Sequence, residues 1–355
     1  MAIIDNPELY FQTKIYTGNG VDDRDITLDG SVDMQPDWLW IKKRSAAASH
    51  RLVDSVRGSS KLLFSDQNYA EVTDANEVQA FNSNGFQLGT DAAVNENGQT
   101  FVAWNWKAGT SFTNDASATG IGTIDSTGSV NTTSGFSIIS YSGTGSNGTI
   151  AHGLGSAPQV VLIKERNGTN NWVMSHQPLS ASLGDYTRFM TLNSNGAVSG
   201  AGNVVFQGSA FTSSVFNVGT SVASNRSGGT YIAYCFAEKQ GYSKFGSYIG
   251  NGSADGTFVY LGFKPAFVIQ KNATTSSTNW QIFDNKRNDF NVVDDYVLAN
   301  TSGAEGVSTS LDFTSNGFKI RQSAGYINTS GSTYIYMCFA SNPFTTSTGV
   351  PATAR

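Results

Sequence analysis

Apolar and polar residues alternate along most of the chain with a period of two. Phe11, Thr13 and Ile15 fall on one side of such a run, and Trp38 and Trp40, then Trp104 and Trp106, do the same in two others. Side chains two apart share a face of a strand, so the pattern predicts many short strands. Asn-Gly, Ser-Gly and Gly-Asn pairs punctuate the runs, and these residues suit tight turns. Helix content is expected to be minor, with room for one short turn near Ser55 to Leu63.

The runs repeat. "YTGNG" (Tyr16 to Gly20) returns as "YSGTG" (Tyr141 to Gly145) and "YIGNG" (Tyr248 to Gly252). Each precedes a proline-led apolar run: "PDWLWIKKR" from Pro36, "PQVVLIKER" from Pro158 and "PAFVIQKN" from Pro265. The Tyr-to-Pro spacing is 20 residues in the first copy and 17 in the other two. Further matched segments follow in order. They include "FNSNGFQL" and "FTSNGFKI", with a looser "FTSSVFNVG" in the second copy. Each copy closes on an aromatic strand: "TFVAWNWK", "TYIAYCFAE" or "TYIYMCFAS".

A repeat with this period implies one supersecondary unit used three times. The expectation is an all-β protein of three related tandem β-sandwich units, jelly-roll-like in character. The first unit covers 1–108, the second 135–241 and the third 242–344. Residues 109–134, rich in Gly, Ser and Thr, read as a linker that sets the first unit apart. The second and third are joined directly and could pack together or share one core. Residues 345–355 read as an extended C-terminal arm.

Composition narrows the function. Charged residues are 14% of the chain, against a usual share of about 25%, while aromatics reach 12%. The net charge of -5 argues against nucleic-acid binding, which needs a basic face. Three histidines and two cysteines leave little for a transition-metal site, and no cofactor is expected. The N-terminal "MAIIDNPELYF" lacks the basic and apolar regions of a signal peptide. No run approaches the roughly 20 apolar residues of a membrane span.

Candidate chemistry is sparse. The glycine loops lack the lysine and following helix of a phosphate-binding loop, so they read as turns. Asp22, Asp23 and Asp25, and separately Asp294 and Asp295, could offer hard oxygen ligands to Ca²⁺. They lack EF-hand spacing, and solvated loop charge is the larger reading. No acidic motif singles out a glycosidase pair, and no nucleophile elbow is present. His50 and His176 fall near the same strand of their units, while His152 sits in a turn-like "AHGLG". Cys235 and Cys338 occupy equivalent closing strands of separate units and read as buried reduced thiols. Trp172 and Trp280 hold matched positions. Core filling is the default for them, and stacking against a glycan is the alternative, which makes them the candidate ligand-binding residues.

The ordered motifs "YTGNG…PDWLWIKKRS…HRLVDSVRG…FNSNGFQLG…FVAWNWKAG", with "IAHGLGSAPQVVLIKER" and "TYIYMCFASNPF" later, resemble a family of marine bacteriophage virion proteins. That family is common in phages of cyanobacteria and other ocean bacteria, and the likeness covers nearly the whole chain. The resemblance implies a structural, tail-fibre-like component of the virion, assembled in the host cytoplasm. It supplies no catalytic residues. The expected role is a non-enzymatic surface protein or adhesin contacting the host. A purely architectural capsid or tail decoration is the alternative, and a glycan depolymerase is third. Expected partners are other virion proteins, further copies of the chain as a homo-oligomer (a trimer is the guess) and a host surface glycan.

Overall fold

Four strands recur in one order. In the first unit they are Phe11–Thr17, Thr100–Trp106, Trp38–Lys43 and Arg51–Asp54, each antiparallel to the next. The second unit has Phe136–Ser142, Thr230–Phe236, Val160–Glu165 and Val173–His176 in the same order. The third has Ser243–Ile249, Thr333–Pro343, Phe263–Asn272 and Gln281–Asp284. Registers match too. Tyr16 pairs with Phe101, Tyr141 with Tyr231 and Tyr248 with Tyr334. This computed structural model describes residues 3–200, 202 and 204–351. Strands make up 43% of the chain and helices 6%, so the protein is all-β.

Local chemistry shapes the strands. Pro265 has no N–H to give a neighbouring strand, and the pairing register shifts on either side of it. The "YxGxG" segments turn through glycines at φ of 68° (Gly20), 77° (Gly145) and 69° (Gly252), a region that favours glycine.

Each four-stranded sheet is buried on both faces. Leu39 and Ile41 point into a core private to the first unit, with Tyr16, Phe86 and Phe101. Val161 and Ile163 do so in the second unit, and Val268 in the third. The opposite faces meet in one shared core, where Phe11, Trp38 and Trp106 pack with Phe236, Phe267 and Phe339. Ring centroids lie 4.4 Å apart for Trp38 and Tyr234, 5.4 Å for Phe11 and Phe339, and 5.8 Å for Phe236 and Phe339. Burial on both faces is why the proline-led strands read as unbroken apolar runs. Each fully buried aromatic contributes about 1.5–3 kcal/mol.

Two expectations are corrected here. Residues 109–134 are not a linker. They form strands Thr110–Asn114 and Ser126–Asn131 with a helical turn at Ala116–Thr119 between them, and they extend the second unit's sheet beyond Phe136–Ser142. Their Ser/Thr-rich alternation suits an edge hairpin with a solvated face, a pattern that composition alone makes look like a loop. The first unit is therefore packed into the same core as the other two. The tail is not extended over 345–351. It turns back so that Thr346 N donates to Val350 O and Ser347 N donates to Asp5 Oδ1 at 2.7 Å. Residues 352–355 lie outside the described residues.

Three seams close the units into a ring. Glu71 N donates to Arg166 O, Val198 N to Ala273 O and Glu305 N to Arg44 O, at equivalent places. At the first–second seam the charges form a chain. Arg57 meets Asp54 at 2.5 Å and Glu71 at 3.2 Å, and Arg166 meets Glu71 at 2.9 Å. The third–first seam repeats it with Arg287 on Asp284 at 2.6 Å and on Glu305 at 2.9 Å, and Arg44 on Glu305 at 2.8 Å. At the second–third seam the corresponding residues are His176, Leu179, Val198 and Ala273. Among the described residues no helix is long and apolar enough to cross a membrane.

Candidate functional site

The glycine turns are closed to anions by their own hydrogen bonds. Asn95 Oδ1 accepts from Asn19 N, Asn225 Oδ1 from Thr144 N and Asn328 Oδ1 from Asn251 N. The backbone oxygens of the same three asparagines take the N–H of Gly20, Gly145 and Gly252. Donors that a phosphate would need are thus engaged within the protein. These asparagines are buried, and sequence reading missed them because each lies about 80 residues from the turn it holds.

Trp172 and Trp280 are buried in the shared core, at 0% and 1% exposure. Trp172 Nε1 donates across a seam to Phe64 O at 2.8 Å, and Trp280 Nε1 to Thr191 O at 3.1 Å. Neither ring has a face toward solvent, so neither can stack on a glycan, and that alternative is corrected. The third member of this set is His50, which strand register places opposite the same positions. Its Nε2 lies 3.0 Å from Leu298 O, across the remaining seam. His50 and His176 do lie at the same strand of their units, as expected, but at its two ends, since His176 holds the place of Asp54 and Asp284.

All three histidines are structural in geometry. The Nδ1 of His50 accepts from Trp40 Nε1, that of His152 from Leu154 N and that of His176 from Leu179 N. Each Nε2 faces a carbonyl oxygen and so carries the proton. Burial pushes all three down to about 4 and keeps them neutral. Cys235 and Cys338 are free and buried, and burial pushes both thiols up.

Asp22, Asp23 and Asp25 are exposed and do not converge. Asp22 Oδ1 accepts from Gln79 Nε2, and Asp25 Oδ1 from Asn82 Nδ2. The acidic oxygens that do gather, within 4.8 Å of one another, belong to Asp74, Glu77 and Asp91. Those are already engaged. Glu77 pairs with Arg51 at 2.6 Å, while Asp74 and Asp91 accept from the backbone N–H of Asn76 and Ala93.

The inserted hairpin carries a surface groove. Thr127 lies directly opposite Ser140 in the sheet. Together with Thr123, Asp125, Ser142 and Thr144 they line a groove of about 470 Å³. Its floor includes the buried Ile124 and Tyr141. Gly128 lies against the carbonyl of Ile138 with no space for a Cβ, which holds the two strands at this spacing. On the far side of Thr127 a second hollow of about 370 Å³ is lined by Asp37, Ser55, Ser111 and Ser129. Burial pushes the Asp37 carboxyl up, although Ser55 Oγ and Ala108 N both donate to it, at 2.7 and 2.9 Å. Neither hollow is lined by a lysine or arginine. Hydroxyls and carboxylates without cations complement an uncharged polyhydroxylated ligand. Sequence reading missed this surface because it took the hairpin for a linker.

The family model described as "Domain of unknown function (DUF7483)" matches residues 6–343. The chain belongs to the DUF7483 family. The match spans all three units of the ring and the inserted hairpin. No curated protein matches this DUF7483 member, and no solved structure does.

Proposed function

We propose that this chain is a non-enzymatic surface protein of a virion, tail-fibre-like or adhesive, which contacts a neutral glycan of the host through the groove on its inserted hairpin. The observation that carries the reading is the hydroxyl-lined groove at Thr127 and Ser140, on the hairpin that extends the second unit's sheet. The resemblance of the ordered repeat motifs to phage virion proteins supports the setting. The three units are read as tandem copies of one jelly-roll-like β-sandwich. Their closure into a ring gives the surface a rigid base.

The test is competition. Excess soluble protein should block phage adsorption, and Thr127→Tyr, which fills the groove, should abolish both the block and the binding of neutral host polysaccharide. Unchanged adsorption in the presence of the wild-type protein would sink the adhesive role. A purely architectural decoration is the second reading. It is favoured by the meeting of Asp5 and Ser347, which brings both ends of the described chain to one place for attachment. Release of new reducing ends from the polysaccharide would instead favour a depolymerase.

A further inference from the structure

The chain passes from the second unit to the third through Ala237–Tyr242, and there a groove of about 450 Å³ opens. It lies against Tyr260, on the outer strand Phe258–Tyr260 of the third unit, and against Phe344. Tyr260 is 54% exposed and Phe344 36%, among the most solvent-facing aromatic rings of the protein. Three charged residues share the lining: Glu238, Lys239 and Lys244.

Two of the three are engaged. Glu238 Oε1 accepts from Phe245 N at 2.7 Å. Lys244 Nζ lies 5.4 Å from the centre of the Tyr260 ring and donates to Tyr260 O at 3.0 Å. Lys239 differs. Its side chain is half-buried, with its stem over Gly135, and its ammonium has no hydrogen-bond or ion-pair partner among the described residues. Burial lowers its pKa, with no carboxylate to offset the cost. A half-buried cation without a counter-charge, in a groove that two solvent-facing aromatic rings also line, is an arrangement that a ligand would complete.

We propose that this groove binds a carboxylate-bearing sugar, with the carboxylate on Lys239 and the pyranose ring against Tyr260 and Phe344. The aromatic wall takes the C–H face of a pyranose, and a single ammonium matches a single carboxylate. This site is separate from the hydroxyl-lined groove and does not depend on the role proposed for that groove.

The experiment is saturation-transfer NMR on the full chain with glucuronate, galacturonate and N-acetylneuraminate as probes. At least one acid should show transfer, and its methyl ester, which lacks the charge, should bind at least about tenfold more weakly. Lys239→Met and Tyr260→Ala should each lower the affinity by about tenfold or more with the unfolding midpoint unchanged. Lys239→Gln serves as a second charge-removing variant should Lys239→Met fail to fold. Thr127→Tyr should leave acid binding intact, so the two grooves are read independently. No transfer from any of the three acids, equal binding of the esters, or full binding by the folded lysine variants would each overturn the proposal.

Discussion

At the seam between the first and second units, Asp54, Arg57, Glu71 and Arg166 form a continuous run of ion pairs. At the seam between the second and third, His176, Leu179, Val198 and Ala273 stand in the same four places without a charge among them. The backbone bond that crosses the seam is the same in both. What these positions require is filled volume and satisfied hydrogen bonds, and charge is one way to supply them. The replacement is also concerted. A buried arginine left without its aspartate is far worse than either complete solution, so intermediate combinations are disfavoured.

The largest expected effect breaks one charged seam halfway. Arg57→Ala leaves the Asp54 carboxylate at 0% exposure without its partner, and it should cost about 3–5 kcal/mol in urea unfolding. Next comes a transplant of the neutral seam. Asp54→His, Arg57→Leu, Glu71→Val, Arg166→Ala and Tyr234→Met together should be neutral or stabilise by about 1–4 kcal/mol, read by the same unfolding curves. Tyr234 is included because its hydroxyl donates to Asp54 at 2.7 Å, and the corresponding residue of the third unit is Met337. A loss as large as that of Arg57→Ala alone would show that the two seams are not interchangeable.

Acid should separate the seams. His176 is held down to about 4 by burial, from an ordinary value of 6.5. The unfolded chain therefore takes up a proton first. Stability from His176 is complete above 6.5 and is lost as pH falls from 6.5 through about 4. Burial also acts to raise Glu71, but Arg166 and Arg57 outweigh it and hold the carboxyl below its usual range. Its contribution is present above about 4.5 and is lost only below that. Hydrogen exchange followed down the pH scale should show the Val198 amide losing protection before the Glu71 amide, and simultaneous loss would contradict this ordering. The smallest effect concerns an exposed pair at the third–first seam. Lys286→Ala breaks its contact with the half-exposed Asp29 and should change stability by less than about 1 kcal/mol.

Much of the architecture was legible. The three "YxGxG" turns, the proline-led strands and the aromatic closing strands all fall at matched places because alternation and turn chemistry act locally. The seams were not legible. Asp54 and Arg57 are near neighbours in sequence, but Arg166 reaches them only through the ring, and no spacing rule joins those positions. The place of His50 alongside Trp172 and Trp280 was hidden because a histidine and two tryptophans share no pattern, only a donor that reaches a carbonyl across a seam. The hairpin at 110–131 was misread because Ser and Thr on a solvated edge strand have the composition of a loop.

The shared core sets a clock during synthesis. Phe11 and Trp106 finish their packing only against Phe267 and Phe339, which emerge from the ribosome much later. At about 5–20 residues per second, the aromatic face of the first unit waits roughly ten to fifty seconds for its cover. The nascent chain must keep that face from other chains over the interval, so its yield should depend on translation rate and on available holdase chaperones.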